Sequence, residues 1–339
     1  MSSPRPRSRH LPLVWGVLWA GLLAGCPAPP EETLPFRLGV LELPSSLLIY
    51  VAQDSDFFAR EHLKLEAVPF ASGREALLAA LSGTVDVAVV YSTPVVVAAL
   101  AGEDVVVVSL LHRADGLTGV AVHPGARIQT AAQLRGHRVG VTPGTSSQLA
   151  LDVLLAEGGL APGDVQVVEG SQTQLQELLA KGEVDAASLW VPNLFIATRP
   201  DRANASLVVS EIYSELSMVA GLRKHLEAHR TEVLRLLRAL GRAQARVRDD
   251  PELVLSTLRR RFPQLSDDNL RVVAGRSRFE LGLSNLLLSS LRQEAAWLEE
   301  RGMPRTPWVR LRDIPLLGPL DEVSPEAITL LTLREEGGR

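Results

Sequence analysis

Leu81-Ser82-Gly83-Thr84-Val85-Asp86-Val87-Ala88-Val89-Val90-Tyr91-Ser92-Thr93-Pro94 is the stretch from which the rest of the chain can be read. Ser82-Gly83-Thr84 is turn chemistry, closing a helix that reaches back to Gly73. Val85–Val90 is a short apolar run between turns, the pattern of a strand buried on both faces in a mostly parallel sheet covered by helices. Pro94 is pre-set for the first turn of a helix, here one extending to Ala101.

The same alternation continues in both directions. Phe36–Leu41 and Leu63–Phe70 are strands separated by a helical stretch from Pro44 to Phe58, and Val105–Leu111 closes the first set. A second set has strands at Thr118–His123, Arg138–Thr142, Val165–Val168 and Ala186–Trp190, with helices at Ser146–Glu157 and Gln172–Lys181. Gly182-Glu183-Val184-Asp185-Ala186 echoes Gly83-Thr84-Val85-Asp86-Val87, each behind a helix and ahead of a strand. The echo suggests two lobes of similar topology. From Lys224 onward the chain reads as almost wholly helical, clearest at Arg223–Arg248 and Leu283–Arg301, with a break at Asp249-Asp250-Pro251.

Composition narrows the function. At 339 residues, 46% apolar and 22% charged, the chain has a globular composition and length for two lobes. A net charge of −4 removes the usual reason to propose nucleic-acid binding. The single cysteine, Cys26, rules out a disulfide framework and a cysteine metal cluster.

The first ten residues carry Arg5, Arg7 and Arg9 and no acid, and Leu11–Leu23 is a mostly apolar run too short to span a bilayer. This is a signal-peptide pattern. Leu23-Ala24-Gly25-Cys26 follows and resembles the lipobox of bacterial lipoproteins, which makes Cys26 the lipidation residue; the plainer alternative is a cleaved signal with an incidental cysteine. Cleavage after Gly25 shifts the net charge from −4 to −7. Pro27–Pro35 reads as an extended tether.

One order of elements is specific. A helix ending in Asp56-Phe57-Phe58 leads to a strand and Ser72-Gly73; then come Gly83-Thr84-Val85-Asp86, the Pro94 helix, Gln133-Leu134-Arg135-Gly136, Arg138-Val139-Gly140-Val141, Gly144-Thr145-Ser146, Gly158-Gly159-Leu160, Gly163-Asp164-Val165 and Trp190. Over about residues 36–260 this resembles the substrate-binding proteins of ABC importers for nitrate, sulfonate, taurine and thiamine precursors. The resemblance implies an α/β, type II periplasmic-binding-protein fold: two lobes with mostly parallel sheets flanked by helices, a helical C-terminal region, and a ligand in the interlobe cleft. The expected organisation is a signal peptide over 1–25, a lipidated tether over 26–35, lobe 1 over 36–116, lobe 2 over 117–212, a return to lobe 1 over 213–310 and a C-terminal extension over 311–339. Residues 304–339 either wrap the first lobe or trail as a tail.

In open α/β sheets ligands bind beyond the C-terminal ends of strands, at helix N-termini. That rule picks out Glu42, Ser45 and Ser46 after the first strand, Ser72 and Gly73 after the second, and Ser92 and Thr93 after the third. In the second lobe it picks out Thr118, Gly144, Thr145, Ser146, Ser147 and Trp190, the last as a planar pocket wall. Each also has a bland reading as an N-cap, a turn or a core aromatic. Many relatives carry Glu after this Trp, where Val191 stands here, which weighs against an amine held at that position. Few basic side chains converge on the expected cleft, which favours a neutral or singly charged solute.

Other chemistry is weak. His225 and His229 have metal-compatible spacing, but Leu226 stands where a zinc peptidase needs Glu and no third ligand is evident. There is no strand-linked GxGxxG, P-loop or GxSxG. Arg113 and Asp115 either line the hinge or cap a turn, and Arg259-Arg260-Arg261 reads as a solvated helical face, with partner docking as the alternative. The function expected is a lipid-anchored extracytoplasmic receptor, monomeric and without metal or cofactor, that passes a small solute to an ABC permease and its ATPase. A ligand-sensing lipoprotein and an enzyme on the same fold are the alternatives.

Overall fold

Val87–Tyr91 is buried along its whole length and forms β3 of a computed structural model that describes Met1 and residues 34–330. The other strands among the described residues are β1 (Leu34–Leu41), β2 (Leu63–Phe70), β4 (Val105–Asp115), β5 (Thr118–Val122), β6 (Arg138–Val141), β7 (Gln166–Glu169), β8 (Ala186–Trp190), β9 (Ser206–Val208), β10 (Ser214–Leu222), β11 (Ser277–Ser284) and β12 (Ile328–Thr329). They form two sheets, ordered β12-β11-β4-β10-β3-β1-β2 and β7-β6-β8-β5-β9.

Parallel pairing holds within β2-β1-β3 and β7-β6-β8. The remaining neighbours of β10, β4 and β5 pair antiparallel, so the sheets are mixed rather than mostly parallel. The cause is topological: the chain leaves the first sheet through β4 into β5 and returns through β9 into β10. A strand entering from the other sheet arrives from the opposite end. β10 lies between β3 and β4, and its pattern mixes Ser217, Ala220, Gly221 and Glu215 with Leu216, Met218 and Val219. Both β10 and β11 fall within 213–310, the return to lobe 1 that the sequence pattern gives as mainly helical.

The internal echo has a physical basis. Gly83 and Gly182 take positive φ, +78° and +69°, which glycine adopts without a Cβ clash. The following Asp then locks onto an arginine of the adjacent strand. Asp86 accepts from the Arg37 side chain at 3.0 Å and its backbone N–H at 2.6 Å. Asp185 does the same with Arg138 at 2.8 and 2.9 Å. Burial raises the Asp86 pKa, but the bonds from Arg37 outweigh it and the net shift is downward. The bond from Arg138 holds Asp185 at about 2.

Several boundaries differ from expectation. The Pro44–Phe58 helix breaks at Asp56, which takes φ 55°, a left-handed conformation Asp tolerates. Arg223–Arg248 is two helices, Arg223–Ala228 and Arg230–Asp249, parted at His229. The arginine run is ion-paired: Arg260 and Arg261 each reach Asp54 at 2.7 Å, and Arg259 reaches Asp267 at 2.9 Å. The described part of the C-terminal extension lies on the first sheet, where β12 pairs with β11 and Leu316 donates its N–H to the Val107 carbonyl at 2.8 Å. The signal peptide after Met1, Cys26 and the tether up to residue 33 lie outside the described residues, while Leu34 and Pro35, expected as the end of the tether, already belong to β1 and pair with β2. Among those described, no helix is long and apolar enough to cross a membrane, and no group of three or more His, Cys, Asp or Glu is placed to hold a metal.

Candidate functional site

Two helix N-termini, one from each sheet, meet in a narrow cleft. Ser72 caps the helix Gly73–Leu81, its Oγ accepting from the Glu75 N–H at 3.2 Å. Thr145 caps the helix Ser146–Glu157, accepting from the Ser147 N–H at 3.3 Å and donating to the Thr142 carbonyl at 2.7 Å. Ser72, Gly73, Thr145, Ser146 and Trp190 line one small cavity with Leu43, Arg74, Tyr91 and Pro94. Glycine suits this position, because a Cβ on Gly73 would lie in tight contact, 3.3 Å from the Tyr91 nitrogen and the Val90 Cα. The cavity is small, about 10 Å³. It adjoins an outer cavity of about 310 Å³, which shares Leu43, Ser72 and Trp190 and adds Glu42, Glu75, Gln172 and Asn193.

Arg74 is the feature the sequence reading missed. It is exposed at the second position of its helix and belongs to the first sheet's side of the cleft. It crosses to the second: a Cβ on Gly144 would sit 3.7 Å from its Cδ and Nε. No ion pair or hydrogen bond engages its guanidinium among the described residues. A cation at its own helix N-terminus and beside another is disfavoured, by typically 0.3–1 kcal/mol per terminus. An anion in the cleft reverses that sign.

Trp190 closes the apolar side. It ends β8, is 7% exposed, and its backbone N–H donates to Gln172 Oε1 at 3.0 Å, fixing the strand end that carries the ring. Gln172 in turn donates to Thr142 Oγ1 at 3.1 Å, tying the wall to the strand end that precedes Thr145.

The other expected site residues do not line the inner cavity, although Gly144 lies against Arg74 and Glu42 lines the outer cavity. Ser46 donates to the Leu41 carbonyl at 2.7 Å, and Ser45 is buried with its Oγ unpartnered. Ser92 and Thr93 open their helix but are buried, and Thr93 donates to Glu294 at 2.8 Å. Thr118 donates to Glu215 at 2.5 Å, Gly144 donates its N–H to Gln148 at 2.8 Å, and Ser147 is buried behind Thr145. His225 and His229 stack at 4.1 Å, with His225 3.2 Å from Asp86.

The lobes are also joined beside the cleft. Asp152, on the helix that Thr145 caps, accepts from Trp297 Nε1 at 2.8 Å and pairs with Arg301 at 3.0 Å. Both partners lie on Asn285–Glu300 or its C-cap, a helix packed on the first sheet's Ser92–Leu100 helix. Asp152 is 8% exposed; burial raises its pKa against the opposing pull of Trp297 and Arg301. Removing one partner of a buried charged bond costs several kcal/mol. Asp152→Ala is therefore expected to favour the open arrangement: a larger radius of gyration by small-angle X-ray scattering without solute, and solute affinity about tenfold lower. Unchanged scattering would show that the contact does not hold the lobes.

Paired helix N-termini, a lone guanidinium and an aromatic wall thus gather in one cleft between the two sheets. Residues 44–253, more than half of the chain, match the NMT1/THI5-like family, and the chain belongs to it. It is 28% identical over 235 residues to a Bacillus subtilis (strain 168) protein named for aliphatic sulfonate binding, covering 66% of this chain and 69% of that one. The alkanesulfonate-binding protein SsuA of Xanthomonas axonopodis pv. citri, solved bound to MOPS, superposes with a TM-score of 0.70 at 20% identity, covering 89% of this chain and all of that one. The desulfurization enzyme DSZB also shares the fold, with a TM-score of 0.65 at 18% identity over 87% of this chain and 99% of its own. The fold is that of the periplasmic binding proteins.

Proposed function

We propose that the protein is an exported, lipid-anchored solute receptor that captures a small anion-bearing organic solute between its lobes and delivers it to an ABC importer. The carrying observation is the unpaired Arg74 guanidinium over the Gly144-Thr145-Ser146 turn, with Trp190 beside it. The anion would sit among Arg74 and the N–H groups that open the two helices, where dipole and guanidinium act together. The body of the solute would lie against Trp190 and Leu43 in the outer cavity, whose volume of about 310 Å³ suits a small molecule. Glu42 and Glu75 at that mouth favour a neutral or cationic tail over a second negative charge. Opening and closing of the lobes about the two crossovers would admit the solute and present the closed form to a permease. The Cys26 lipobox and the 1–25 signal pattern support export and anchoring.

Native mass spectrometry of the purified chain tests this reading. A discrete adduct lost on denaturation, and released with its mass unaltered, is the expected result. A released species changed in mass on incubation would move the reading toward an enzyme on this fold. No adduct, together with no thermal shift from sulfonates, carboxylates or nitrate, would leave a sensor or scaffold role.

A further inference from the structure

Arg113 on β4 and Arg278 on β11 are direct register partners. Directly opposed residues of an antiparallel pair share a face with Cβ atoms about 4.5–5.5 Å apart, and like charges placed so are destabilising. Neither side chain pairs with a carboxylate among the described residues; Arg278 donates to its own neighbour's carbonyl, Ser277, at 3.0 Å. Arg276, two residues earlier, donates to the Gly116 carbonyl at 3.2 Å and covers that glycine so closely that a Cβ would meet its Nη1 at 2.2 Å.

These three guanidiniums line one depression of about 480 Å³. Two carboxylates share it. Asp115 is engaged by the Ser214 hydroxyl, and Glu211 is exposed on the far wall. The depression touches both connections between the sheets, Gly116 on the β4–β5 crossover and Val209–Glu211 on the β9–β10 return. It shares no lining residue with the cleft cavities around Trp190.

We propose that this depression is a second anion site, taking a small multivalent oxyanion whose oxygens bridge Arg113 and Arg278. Planar guanidinium forks suit a tetrahedral oxyanion, and one placed between the two arginines converts their repulsion into shared attraction. Because Arg276 holds the Gly116 crossover from the same depression, occupancy stiffens the hinge on which the lobes move.

The test is titration of inorganic phosphate into the full chain, followed by thermal unfolding. Phosphate should raise the Tm saturably in the millimolar range, above the non-specific salting effect. The double variant Arg113→Gln/Arg278→Gln should need at least tenfold more phosphate for the same rise. Arg74→Gln, which removes the cleft's own anion contact, should keep the part of the response that the Arg113→Gln/Arg278→Gln change abolishes, so the comparison is made in that background and a failed cleft reading and a failed rear site are distinguishable. Arg278→Glu gives Arg113 a partner and should unfold at a higher temperature than wild type without phosphate, with the response gone. The proposal is overturned by an unresponsive wild type, by a response that vanishes in Arg74→Gln, by an unchanged phosphate requirement when Arg113→Gln/Arg278→Gln is added to Arg74→Gln, or by an Arg278→Glu chain less stable than wild type.

Discussion

Arg74→Gln is expected to weaken binding of an anionic solute ten- to a hundredfold while leaving the fold almost untouched. A hydrogen bond to a charged group contributes about 1.5–3 kcal/mol, and each 1.4 kcal/mol is a factor of ten in affinity. Arg74 is exposed and forms no bond that the fold depends on, so its loss should change stability by no more than about 0.5 kcal/mol. Arg74→Lys keeps the charge but not the planar fork, and should fall between wild type and Gln. A neutral solute of the same shape should bind both forms alike. Isothermal titration of wild type and both variants with an alkanesulfonate and its uncharged analogue reads all six combinations. Equal affinity of wild type and Arg74→Gln for the anion would remove Arg74 from the site and leave the helix N-termini to hold the charge alone.

That residue also marks where the sequence stops being legible. Gly83 and Asp86 announced the turn and strand they build, because a left-handed glycine and an aspartate that caps the next strand each have one residue type that suits them. Gly182 and Asp185 repeat the pair, so the two-sheet plan showed through. That Ser72, Thr145 and Trp190 share one cavity was legible for a similar reason: they stand at or just past strand ends, which the α/β topology brings together. Arg74 gave no such signal. An arginine in the first turn of an exposed helix looks like any surface charge until the facing Gly144 turn is placed beside it.

Ser92 and Thr93 fail in the opposite sense. They satisfy the strand-end rule, yet Glu294, about two hundred residues later in the chain, turns Thr93 away from the cleft into the first lobe. β10 is not marked in the sequence because its run is interrupted by small and polar residues, although the fold buries them. Ser217, Ala220 and Gly221 break the apolar run that marks a strand in sequence. Pairings between distant segments decide each of these cases, and local pattern carries no trace of them.

β10 also brings the chain's most consequential buried acid to the base of the cleft. Glu215 is 4% exposed; its Oε2 accepts from Thr118 at 2.5 Å and its Oε1 from Tyr91 at 3.4 Å. Burial pushes its pKa up to about 7 from the ordinary 4.5, the two hydroxyls pull it down, and Asp115 adds to the rise. The folded chain therefore holds a proton that the unfolded chain releases between pH 4.5 and 7. With more protons bound in the folded state, stability falls as pH rises through that window. At 1.36 kcal/mol per unit the loss from this group is about 3 kcal/mol by pH 7.5. Glu215→Gln cannot ionise, so its unfolding free energy should lack this decline and exceed that of wild type at pH 8 by a comparable amount. Urea unfolding at pH 5 and pH 8 measures both. The same charge sits one hydroxyl away from the cleft wall through Tyr91, so ionised Glu215 also opposes an anion held there. Solute affinity in wild type should then weaken between pH 6 and 8, and Glu215→Gln should flatten that slope as well. Parallel stability curves for the two proteins would mean that Glu215 is already ionised at pH 5, stabilised by Thr118 more strongly than burial penalises it.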